Sequence, residues 1–235
     1  SDALRAWRIA LERNGVLVFQ TATGRWGVTP EELRGVAIFE NPFPVVLLNG
    51  RDSPRARMFT LMHEYTHLAL NTSGICDWAE QEKIEVFCNH VAGAILVPEM
   101  PLRSQVPTSD PTGSEVTDEQ LESAAQRFHV SREVIARRLL ILGCVSRSFY
   151  QAKHVQYREE HEAIKKQPKK KKKILVPPHI KALGSNGYAF AGLVVRSYYR
   201  GEIGPSHIST YLGLSFKHFA NIERALAAHS VGGSL

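Results

Sequence analysis

The pattern of apolar and polar positions changes period several times along the chain. SDALRAWRIALERNGV at the start is an amphipathic helical stretch. GVLVFQ (15–20), GVAIFE (35–40) and FPVVLLNG (43–50) are β-branched and aromatic runs punctuated by Gly, Pro and Asn, which predict strands of a small antiparallel sheet. Residues 54–70 then carry Met58, Phe59, Met62, Thr66 and Ala69 at helical spacing, an amphipathic helix. After the loop NTSGICDWAEQEK, a second stripe of Ile84, Phe87, Cys88, Val91 and Ile95 predicts a helix over 82–98 that Pro98 ends.

A Pro/Ser/Thr/Gly-rich loop (98–114) leads into TDEQLESAAQRFHVSREVIARRLLILG, read as a pair of helices over 117–143. Thr117 to Gln120 have the form of a capping box, and Ser131 stands where the second helix needs its cap. Residues 151–181, which include QPKKKKKILVPP, are expected to be a basic linker. Beyond it, YAFAGLVVRSYYRGEIGPSHISTYLGLSFKHFANIERALA gives short helical segments broken by Gly201 and Gly213. The expected organisation is α+β, with one main domain over 1–150, the linker over 151–181 and a small helical unit over 182–235.

Composition adds two restrictions. The 235 residues carry a net charge of +6, but residues 151–181 alone hold ten Lys/Arg against Glu159, Glu160 and Glu162, so the rest of the chain is −1. The basic balance therefore belongs to one segment and says nothing of the core. No apolar run approaches the ~20 residues of a membrane span, and the first residues lack a signal-peptide pattern. Cys76, Cys88 and Cys144 are odd in number and lack metal-knuckle spacing, in keeping with a reducing compartment, so a cytoplasmic protein is expected. Cys88 and Cys144 read as small core residues.

The chemistry is concentrated in FTLMHEYTHLAL (59–70). His63 and His67 are one helical turn apart, so both imidazoles leave one face and can converge on one ion. Glu64 follows His63 about 100° around the helix, beside the ion and off the ligand axis, where a general base for water is needed. A catalytic zinc takes three protein ligands and keeps one position open. Glu85 is expected as the third ligand and Asn89, one turn on, as a hydrogen-bond partner of a ligating histidine. Asp77, Glu80, Glu82 and His90 are rivals for the ligand position, and manganese or iron are alternatives to zinc.

RMFTLMHEYTHLAL, then GICD, then IEVFCNHVAGAILVP resemble the ImmA/IrrE metallopeptidase family, in which FTLxHExxH is followed by ExxxN and a closing Leu-x-Pro. GVLVF, LRGVAIFENPFPVVLLN and VSREVIARRLLILG also resemble it, so the similarity spans about residues 5–150, with a weaker one over 186–226. The resemblance implies a minimal thermolysin-like (zincin) domain with His63, His67 and Glu85 as zinc ligands and Glu64 as general base. It further implies an endopeptidase that cleaves helix-turn-helix repressors of the phage or xenobiotic-response type, derepressing genes after stress, DNA damage or element mobilisation. Members often carry a helix-turn-helix domain in front; none is expected within these residues, and if that domain has been lost the repressor would be a separate polypeptide.

Catalysis needs a further donor for the oxyanion, and His90 and Tyr65 are candidates. A sheet edge such as 35–39 offers strand addition to an extended substrate. The rival class is a DNA-binding regulator that uses the peptidase fold as scaffold or sensor. DNA contact is considered at 120–143, where Arg132, Arg137 and Arg138 are available for phosphates, and at 165–226, where a lysine run precedes a helix, a Gly turn and a helix. In the first of these the apolar residues Val134, Ile135, Leu139, Leu140 and Leu142 favour packing over DNA contact.

Overall fold

A computed structural model describes residues 2–21, 29–71, 78–108, 110, 112, 115–166 and 176–231. These form two compact units, one from the described residues of 1–53, 68–73 and 173–235, the other from those of 54–67 and 74–172.

In the first unit a helix, α1 (Asp2–Arg13), precedes strands β1 (Leu17–Gln20), β2 (Gly35–Ile38) and β3 (Val45–Leu48). The three strands fall inside the three predicted runs, but their sheet is mixed, in the order β1-β3-β2. β2 and β3 pair antiparallel, Gly35 opposite Leu48, whereas β1 and β3 pair parallel, Leu17 opposite Val45. The expectation of an antiparallel sheet is corrected here. The chain leaves β1, takes β2 to the far edge in the opposite direction and returns β3 between them, so β3 must run parallel to β1. Val46 and Leu48 of β3, the central strand, are fully buried.

The C-terminal helices α8 (Pro178–Asn186), α9 (Tyr188–Tyr199), α10 (Pro205–Leu212) and α11 (Phe219–Val231) belong to the same unit. α8 packs on β1, and α1 packs on both β1 and α9. Two α1 side chains fix this arrangement. Arg8 donates to the carbonyls of Gly184 at 2.7 Å and Val18 at 2.9 Å, and Glu12 Oε2 accepts the Tyr188 and Ala189 N–H groups at 3.1 and 3.2 Å. Those are orphan donors of the first turn of α9, and the carboxylate also complements the positive end of its dipole. Residues 182–231 thus fold onto the N-terminal helix and strand, around a core that includes Leu183, Val194, Ile208, Leu212 and Ile222.

The second unit holds α2 (Pro54–Leu70) up to His67, then α3 (Trp78–Leu96), α4 (Glu99–Gln105), α5 (Asp118–Arg127), α6 (Arg132–Ile141) and α7 (Arg147–Lys166). On α2, Met58, Leu61, Met62 and Thr66 are buried while Ala69 is exposed; on α3 the buried line is Cys88, Ala92 and Leu96, and Phe87 is 48% exposed. Cys88 and Cys144 are buried thiols, as expected of core residues. The capping box is present, Thr117 Oγ1 accepting from Gln120 N–H and Gln120 Oε1 from Thr117 N–H, and Ser131 Oγ accepts from Val134 N–H.

Residues 147–166 form a 20-residue helix where charge alone suggested that a linker begins at 151. Two of its charged side chains pair with neighbouring helices. Lys153 Nζ reaches both oxygens of Asp118 at 2.8 Å, Glu160 pairs with Arg132, and the Arg132 guanidinium lies 4.5 Å from the centre of the buried Tyr157 ring. The arginines considered for phosphates are likewise engaged. Arg138 is 7% exposed with Nε donating to Val97 O, Arg132 is ion-paired, and Arg137 donates to Tyr150 and Glu133. The buried Ile135, Ala136, Arg138 and Leu139 show that α6 packs against the core.

Gly187 has φ +78 and ψ 165, and a Cβ there would lie 2.1 Å from Glu12 Oε1 and 2.9 Å from Val18 O. Gly187→Ala is expected to lower stability by about 2–4 kcal/mol, from the glycine-only backbone conformation and displacement of the Glu12 cap. Urea unfolding measures it, and a loss below about 0.5 kcal/mol, the level of an ordinary surface substitution, contradicts the account.

Candidate metal centre

The second unit brings together three predicted ligands. His63 and His67 leave the same face of α2 with side chains 14% and 18% exposed, and Glu85, with 47% of its side chain exposed, faces them from α3. The two Nε2 atoms are 3.1 Å apart, His63 Nε2 lies 3.2 Å from Glu85 Oε2, and His67 Nε2 lies 3.2 Å from Glu85 Oε1. Among the described residues this is the group of His, Cys, Asp and Glu whose ligand atoms converge closely enough to hold a metal ion.

Asn89 fixes the tautomer. Its Oδ1 lies 3.2 Å from His63 Nδ1, and an amide oxygen only accepts, so Nδ1 carries the proton and Nε2 presents a lone pair to the cluster. Burial, opposed by the Glu85 carboxylate and assisted by His67, holds the His63 imidazole below its ordinary range, which keeps it neutral near pH 7. A bare nitrogen then faces a carboxylate at 3.2 Å, two acceptors that repel unless a proton or a cation lies between them. A cation fits the spacing. A tetrahedral site with ligands at about 2.0–2.1 Å has edges of about 3.3–3.4 Å, close to the separations present here.

Glu64 is half-buried on α2. Cys88 of α3 is a buried thiol that burial pushes up to about 11, with the Glu85 and Glu64 carboxylates adding to the effect. Sequence reading took Cys88 as core, which it is. Of the rival ligands, Glu82 and His90 are exposed and outside the cluster. Asp77 and the side chain of Glu80 lie outside the described residues.

An HExxH helix with a carboxylate and an amide supplied by the next helix defines a metallopeptidase-like protein. The family model of the IrrE N-terminal-like domain, the M78 peptidases, matches residues 11–140, and the chain belongs to that family. No curated protein matches the sequence. Among solved structures, a Mycobacterium tuberculosis transcriptional regulator is 15% identical with a TM-score of 0.39, over 58% of this chain and 40% of that one. A similarity of that size carries no argument, and the chain spans less than half of the regulator's length.

Two outcomes are expected. Asn89→Ala, which frees the His63 ring, is expected to weaken zinc binding by about 10–100-fold in a chelator competition; unchanged affinity removes Asn89 from the centre. His63 has its folded pKa below the unfolded value of about 6.5, so the neutral form is the one that favours folding. Its contribution is complete above about pH 6.5 and is lost as pH falls below that value toward the folded pKa. Metal-free protein melted between about pH 8 and 5 is expected to lose stability more steeply than a His63→Gln variant, and equal slopes contradict the assignment.

Proposed function

We propose that the protein is a zinc-dependent endopeptidase whose substrate is a helix-turn-helix transcriptional repressor, cut in the cytoplasm so that the repressed genes are released in response to stress, DNA damage or mobile-element signals. The observation that carries the reading is the convergence of His63, His67 and Glu85 at 3.1–3.2 Å, with Asn89 behind His63, in a chain of the M78 family. Among the described residues no helix is long and apolar enough to cross a membrane, which is compatible with that setting.

His63, His67 and Glu85 would hold the metal. When bound, zinc supplies Lewis acidity, lowering the pKa of a coordinated water toward 7 and polarising a peptide carbonyl. The remaining work belongs to the chain. Glu64 takes the proton of the attacking water as the nucleophile adds to the scissile carbonyl, then returns it to the leaving amine as the C–N bond breaks. Asn89 keeps His63 in the tautomer whose Nε2 points at the centre. His90 and Tyr65 are the residues proposed for the oxyanion.

The test pairs metal content with cleavage. Elemental analysis is expected to find about one zinc per chain in the wild type and in Glu64→Gln, and much less in His63→Ala and Glu85→Ala. Against repressors encoded beside the gene, Glu64→Gln is expected to lower cleavage by at least about 10²-fold while the fold and metal persist. Zinc loading with undiminished cleavage by Glu64→Gln rejects the mechanism, and failure of every variant and the wild type to take up metal rejects the peptidase.

A further inference from the structure

The first unit holds a cleft that the metal chemistry does not use. Its walls come from α1, α9 and α11, all within that unit, and it encloses about 720 Å³. A volume of that order is usual for small-molecule sites, which join an apolar wall to a few polar groups that fix the ligand's orientation. Ile9 on α1, Val195 on α9 and Leu226 on α11 supply the apolar wall, each only partly buried by the rest of the chain. The Tyr188 and His229 rings lie in the same wall with 4.3 Å between their centres.

Gly192 stands in the interior of α9, where glycine weakens a helix relative to alanine. What it provides is room in the cleft. Outside the helix's own backbone, and among the described residues, a Cβ there would meet a single atom within 4 Å, Arg196 Nη1 at 3.3 Å. The Arg196 side chain therefore folds back along α9 over Gly192 and sets its guanidinium beside the open stretch of helix.

The cleft is also cationic. Arg13, the last residue of α1, joins Arg196, and among the described residues neither guanidinium pairs with an acid. The acid in the wall is Glu12, whose Oε2 accepts the Tyr188 and Ala189 N–H groups and whose charge is offset by Arg8. The field of the arginines reaches inside, since burial, then Arg13 and Arg5, hold the His229 imidazole below its ordinary range. An arginine in the last turn of a helix complements the dipole, which accounts for where Arg13 and Arg196 stand in sequence. It does not account for a cleft between them and the apolar wall, or for a glycine that keeps it open.

We propose that this cleft is a binding site for a small amphipathic carboxylic acid, its carboxylate held by Arg196 and Arg13 and its aliphatic or aromatic body laid against Ile9, Val195 and Leu226. A guanidinium presents paired N–H donors that match the two oxygens of a carboxylate. A phosphate is the poorer fit, because the N–H groups at the α9 N-terminus, the usual cradle for one, are already taken by Glu12. A wholly polar acid leaves the apolar wall wet, and an uncharged apolar molecule strips water from two arginines with nothing to replace it.

Equilibrium dialysis of the full chain against naphthalene-2-carboxylate tests this, beside acetate, naphthalene-2-carboxamide and 2-naphthyl phosphate. The carboxylate is expected to bind at least about tenfold more tightly than each of the others. Arg196→Gln and Arg13→Gln, both at exposed positions, are each expected to weaken it about tenfold, and Gly192→Leu, which favours the helix and fills the cleft, to abolish it. Lys217→Gln, which removes a cation of the same unit outside the cleft, is expected to bind like the wild type. Circular dichroism and urea midpoints check that the variants fold. No retention of the acid at about 1 mM overturns the proposal. So does equal binding of the carboxamide, which leaves an apolar groove alone, and so does tighter binding of the naphthyl phosphate, which makes the site one for phosphate esters. Wild-type affinity in Gly192→Leu, or in both arginine variants, places the acid elsewhere and overturns it as well.

Discussion

The second unit depends on a contradiction between three side chains. His63 Nε2, His67 Nε2 and the Glu85 carboxylate oxygens converge at 3.1–3.2 Å, and the Asn89 amide oxygen accepts the Nδ1 proton of His63, which turns that ring's lone pair inward. A core selected only for stability would place Leu or Ala at these positions, since converging acceptors cost free energy and return nothing. The arrangement makes sense when a cation resolves the repulsion, and metal binding then contributes to folding as well as to chemistry.

That constraint organises what surrounds it. The ligating face of α2 has to meet α3 at Glu85 and Asn89, and α3 buries the small residues Cys88 and Ala92 beside them. α5, α6 and α7 give this half of the chain its breadth through the buried Arg138, the Lys153–Asp118 pair and the Arg132–Tyr157 stack.

The site was legible because its geometry is local. Two histidines four residues apart on a helix must share a face, and so must a Glu and an Asn four apart on the next. Pairing one face with the other needed only the apolar seam between them. Sheet topology was not legible in the same way, because β-branched runs identify strands but contain nothing about which neighbour each takes. The parallel β1–β3 pair joins residues 28 apart, set by a crossover that no local pattern announces. Charge misled at α7 for a related reason. A run of Lys, Arg and Glu looks solvated until its partners are known, and Asp118 and Arg132 are contributed by other helices. The same blindness made Arg138 look available when it is buried against Val97 O.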